Sequence, residues 1–77
     1  MNLTNYVISY RMRNGMSQRE LARKIGITNT MLSLIENGKR HAGPYVLKKM
    51  SKYFKIDIVD LVEMNGGKYQ RDPDKQI

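Results

Sequence analysis

The sequence predicts an all-α domain of five short helices, and three observations carry that prediction. Apolar residues recur at spacings of three and four, while the strict alternation of a half-buried strand is nearly absent. Residues that start helices (Ser17, Thr28, Pro44 and Asp57) stand just ahead of the apolar stripes. Residues that stop them (Asn14-Gly15, Gly26, Asn37-Gly38 and Asn65-Gly66-Gly67) stand just behind. A chain of 77 residues makes one domain with a modest core and little area for a separate catalytic cleft.

The first helix is expected from about Thr4 to Arg13, with Leu3, Val7 and Tyr10 on its inner face. Ser17-Gln18-Arg19-Glu20 has the form of a capping box, in which a serine hydroxyl and a glutamate carboxylate satisfy free backbone N–H groups at a helix start. It opens a second helix burying Leu21, Ala22 and Ile25, which Gly26 ends because the turn needs a residue tolerant of positive φ. Thr28 caps a third helix with Met31, Leu32 and Ile35 inward, so about three residues join the two. Pro44 favours the first turn of a fourth helix, with Leu47, Met50 and Phe54 inward and Lys48, Lys49, Lys52 and Lys55 turned to solvent. Asp57 caps a short fifth helix burying Ile58, Leu61 and Val62. The domain is expected over residues 1–64, and residues 65–77 as a flexible polar tail.

Charge narrows the function. The net charge is +7, but residues 1–56 carry eleven basic and two acidic side chains, and residues 57–77 three and five. A basic field of this kind attracts nucleic acid or an anionic membrane without by itself conferring specificity. No cysteine is present, so disulfides and thiolate metal sites are excluded and a reducing cytoplasm fits. The N-terminus lacks the pattern of an export signal, and no run of about eighteen apolar residues could span a membrane.

The stretch from Gln18 to Asn37, QRELARKIGITNTMLSLIEN, resembles the helix-turn-helix of the phage repressor and Cro family, also called the xenobiotic-response-element type. Ala22 stands where two helices approach closely, Gly26 at the turn, and Ile27 and Leu32 in the wedge between them. The likeness extends to Arg11, to Gly15-Met16-Ser17-Gln18, to Glu36-Asn37-Gly38-Lys39, and to Leu47, Ile58 and Leu61. It implies a compact, lambda-repressor-like five-helix domain that acts as a DNA-binding regulator, most simply a repressor.

With the core face of the third helix assigned, Asn29, Thr30, Ser33 and Leu34 fall on the opposite face. They are the expected base readers: an asparagine amide can bond an adenine edge twice, a hydroxyl serves either base, and leucine suits a thymine methyl. On an arbitrary helix the same residues would be solvated surface, and Leu34 could instead pack on a partner subunit; the motif favours DNA. Gln18, at the start of the second helix, and Asn37, Lys39 and Arg40, after the third, are the expected phosphate contacts. The family resemblance further implies a partly buried ion pair between Arg11 and Glu36, tying the first helix to the third.

No catalytic residue, metal site or cofactor is expected. His41 has no cysteine or carboxylate cluster near it in sequence, and Ser33, His41 and Asp57 show no hydrolase spacing. Tyr45, Tyr53 and Phe54 lie at helical spacing, which suits packing better than a platform for single strands. The expected partner is duplex DNA with a palindromic operator, bound by a homodimer joined through the fifth helix and its approach, from Tyr53 to Met64, where Val59, Val62 and Met64 exceed what one small helix buries inward. The rival of another class is an antitoxin or co-regulator that uses the same fold mainly to bind protein.

Overall fold

A computed structural model describes residues 2–67, and five helices account for most of them: α1 (Leu3–Arg13), α2 (Gln18–Ile25), α3 (Asn29–Glu36), α4 (Pro44–Phe54) and α5 (Ile58–Met64). No strand occurs among the described residues. Residues 68–77, where most of the expected tail falls, lie outside them.

Four of the five helices start at a residue whose side chain accepts from one of the first, otherwise free, N–H groups. Ser17, Thr28 and Asp57 accept from the backbone N–H of Glu20, Met31 and Val59 respectively. α1 begins one residue earlier than the periodicity suggested, because the side chain of Asn2 caps it by accepting from Asn5 N–H. α4 has no side-chain cap and relies on Pro44, whose missing N–H needs no partner at that position. α2 stops at Gly26, where φ is +96° and the N–H returns to the Ala22 carbonyl. A side chain there would be strained by the backbone angle alone.

The helices pack as α1 on α3, α2 on α3, α2 on α4 and α4 on α5. Val7, Leu21, Leu32, Ile35, Val46, Leu47, Met50 and Leu61 are fully buried at their junction. Met31, Phe54, Ile58 and Val62, expected inside, are only partly buried and pack against this core from its margin. Tyr6, Tyr10, Tyr53 and Phe54 close the side between α1 and α4 as edge-to-face rings with centroids 4.9 to 5.8 Å apart. The hydrogen bond between the Tyr10 and Tyr53 hydroxyls, 3.0 Å, is the main cause that pushes the Tyr53 hydroxyl up to about 12.

One polar contact was hidden from the sequence. Asn65 reads as a helix breaker, yet its side chain is buried, accepting from Ala42 N–H at 3.1 Å and donating to the Ala42 carbonyl at 2.8 Å. It fastens the end of α5 to the loop that leaves α3. Asn65→Ala would strand both buried backbone groups of Ala42, and is expected to cost about 2 to 3 kcal/mol in urea unfolding. A loss within about 0.5 kcal/mol of zero, the size of an ordinary surface change, would show that water replaces the amide.

Candidate nucleic-acid interface

The turn after α2 is short because Gly26 and Ile27 both donate to the Ala22 carbonyl, at 2.9 and 3.0 Å, which closes the helix and leaves residues 26–28 to carry the chain into α3. Buried Ala22 leaves room for α3 to lie close, and half-buried Ile27 packs with Leu32 against the core. α3 is thereby held by its inner face, and its first turn is left outside. Asn29 and Thr30 are exposed there.

Ser33 and Leu34 sit one turn further along and are only half-buried, so the opposite face is less open than a helical projection suggests. Leu34 lies outside the core cluster. Ser33 is engaged within its own helix: its hydroxyl accepts from the Asn37 amide at 3.3 Å.

The residues expected at phosphates differ in how free they are. Lys39 is exposed, and its own N–H, bonded to the Leu34 carbonyl at 2.9 Å, fixes the turn from which it projects. Gly38 makes that turn at φ +70°. Asn37 is exposed, though its amide already reaches Ser33. Arg40 is half-buried; its Nε is enclosed with no hydrogen-bond partner among the described residues, beside a cavity of about 340 Å³ that Thr4 and Asn65 also line. The side chain of Gln18 turns inward, donating to Glu36 Oε1 at 3.3 Å.

Glu36, the last residue of α3, has a side chain 5% exposed, and Arg11 of α1 meets it in a two-pronged ion pair. Arg11 Nε donates to Oε2 at 3.0 Å and Nη2 to Oε1 at 2.9 Å, while Nη1 donates to the Met16 carbonyl at 3.3 Å. A planar guanidinium fits a carboxylate in this way, which locks orientation as well as distance. Thr4 adds a second tie between α1 and α3, its hydroxyl donating to the Ile35 carbonyl at 2.7 Å. That contact had no signal in the sequence, since Thr4 is an unremarkable first-turn residue.

Away from α3, the residues expected on a joining surface do not form one open face. Val59 is 62% exposed, whereas Val62 and Met64 pack against the core. α5 is only seven residues long, and it uses Ile58, Leu61, Val62 and Met64 together to cover the end of the domain. Among the described residues no group of histidine and carboxylate side chains could hold a metal, and no helix is long and apolar enough to cross a membrane.

Comparison with known proteins agrees with this geometry. A helix-turn-helix family model matches residues 7–61, from the middle of α1 into α5. The chain is 39% identical over 57 residues to an uncharacterized HTH-type transcriptional regulator, YvzC, of Bacillus subtilis (strain 168), a match covering 74% of each chain. No solved structure matches it. The chain belongs to the helix-turn-helix family of the Cro/C1 type, a family of regulators and not of enzymes.

Proposed function

We propose that this protein is a sequence-specific regulator that binds double-stranded DNA, acting as a repressor from the cytoplasm, with α3 in the major groove. The observation that carries the proposal is the exposed first turn of α3: Asn29 and Thr30 point outward from a helix whose other face is anchored by Leu32 and Ile35. A helix entering the major groove at its N-terminal end puts its first-turn residues nearest the base edges. Ser33 and Leu34 extend that contact by one turn. Lys39 and Arg40, the Asn37 amide and the start of α2 at Gln18 hold the flanking phosphates. Arg40 would have to turn its guanidinium outward, a movement that also relieves its enclosed Nε.

The working unit is a homodimer on a palindromic operator. One helix of eight residues reads too few base pairs to single out a site in a genome, and two-fold pairing doubles the frame, with half-site centres about 34 to 36 Å apart. Val59, the large apolar residue of α5 left in the open, is the natural centre of the joining surface.

Selecting bound duplexes from a random library tests the function, because it reports site sequence, spacing and symmetry together. A palindrome is expected. Two cationic phosphate contacts in each protomer should give a slope of affinity against salt, both as logarithms, of about −3 to −4 for the dimer. Absence of binding to long duplexes at low salt would overturn the DNA assignment, and a protein recovered as the tight partner of a non-binding domain would favour the antitoxin class. Val59→Glu should abolish cooperative binding to the palindrome while leaving a single half-site bound. Unchanged cooperativity would place the joining surface elsewhere.

A further inference from the structure

The Glu36 carboxylate joins more than the two helices that an ion pair requires. Arg11 occupies both of its oxygens, and Gln18 Nε2 shares Oε1 at 3.3 Å. A carboxylate can only accept, so the Gln18 amide must present its nitrogen inward. One N–H of that nitrogen is committed to Glu36, and the second points away from it. Arg11 also holds the Met16 carbonyl, two residues ahead of Gln18, so the approach to α2 is fixed from the same guanidinium.

We propose that Glu36 is a positioning residue for the DNA backbone: through Gln18 it aims an amide N–H at a phosphate and sets that contact's distance from those after α3. The inference rests on the DNA-binding reading above. A glutamine free on the surface would lose its rotamer freedom when it bound, whereas one tethered to a buried carboxylate has lost it already. The tether has a second effect, because the residues that directly follow Glu36 are the other phosphate anchors. Asn37 N–H returns to the Ser33 carbonyl and Lys39 N–H to the Leu34 carbonyl, both at 2.9 Å, so the exit turn moves with α3. Anchors on both sides of the recognition helix are therefore referred to one buried group. Arg11 balances the charge of Glu36, so the carboxylate does not repel the phosphate it helps to place.

The test combines a mutant cycle with a spectroscopic measurement on the unaltered protein. Duplex affinities would be measured for the wild type, Gln18→Met, Glu36→Gln and the double variant, with thermal midpoints recorded for each. Gln18→Met keeps the length of the side chain and removes its donor. It should weaken operator and random duplex alike, by about three- to ten-fold, with the salt slope unchanged because the lost contact is neutral. Glu36→Gln should weaken binding to a similar degree in the wild-type background and by less than about two-fold once Gln18 is methionine. Penalties that multiply would overturn the proposal, as would Gln18→Met lowering the thermal midpoint without altering affinity.

If Glu36→Gln fails to fold, nuclear magnetic resonance of the wild type decides. The two Gln18 amide protons should stay widely separated in shift when operator duplex is added, one held by Glu36 and one newly moved by phosphate. Collapse of the Glu36-bonded signal on binding would mean that glutamine abandons the carboxylate, and the positioning role would be refuted. A wild type that binds no duplex overturns the DNA reading itself, whereas a binding wild type with multiplicative variants overturns the positioning role alone.

Discussion

Arg11→Met is expected to lower the stability of the domain by about 3 kcal/mol, measured by urea unfolding. The reason lies in what it leaves behind. Glu36 is 5% exposed and would be left with Gln18 as its remaining side-chain donor among the described residues, while Arg11 itself is 24% exposed and adds less by its own burial. Breaking a buried pair from one side costs far more than the pair contributes, because the stranded charge has been taken out of water without compensation. A domain this small has only several kcal/mol to lose, so the substitution would raise the unfolded fraction by about a hundred-fold. Replacing both partners, Arg11→Met with Glu36→Leu, should recover much of the loss, since an apolar pair needs no compensation. If the single change cost less than about 1 kcal/mol, the typical limit for an exposed pair, Glu36 would have to be reached by water in solution.

The largest expected effect on function is in the first turn of α3. Asn29→Ala and Thr30→Ala should each reduce discrimination between the selected operator and random duplex by about 1 to 3 kcal/mol, and leave random binding nearly unchanged. Both side chains are exposed and outside the core, so the fold should survive their loss. Lys39→Ala supplies the contrast. A lysine reads phosphate charge, which every sequence carries, so its loss should weaken operator and random duplex equally and make the salt slope shallower by about one. Competition titrations at two salt concentrations measure both quantities at once. Were Lys39→Ala to change sequence preference while Asn29→Ala did not, the faces of α3 would be assigned the wrong way round.

What could be read in advance, and what could not, divides by the range of the forces involved. Helix positions follow from local chemistry: Ser17, Thr28 and Asp57 cap the helices they were expected to open, and Gly26 takes the left-handed conformation its place in the sequence required. The inner face of each helix follows from its apolar spacing, although Met31 and Phe54 reached only the margin of the core. The Arg11–Glu36 contact spans 25 residues and obeys no local rule, so only the resemblance to a known family suggested it.

The sequence by itself determined that this chain is a small basic bundle of five helices with a short turn between the second and third, because caps, glycines and apolar periodicity each act within a few residues. Only the tertiary structure decided how polar side chains distant in sequence are shared. It turned Gln18 onto Glu36, enclosed Nε of Arg40, spent Asn65 on the backbone of Ala42 and left Val59, rather than Val62 or Met64, in the open. A polar side chain has several chemically equal partners until the packing of the helices brings one within about 3 Å, and that choice is made by shape rather than by neighbouring residues.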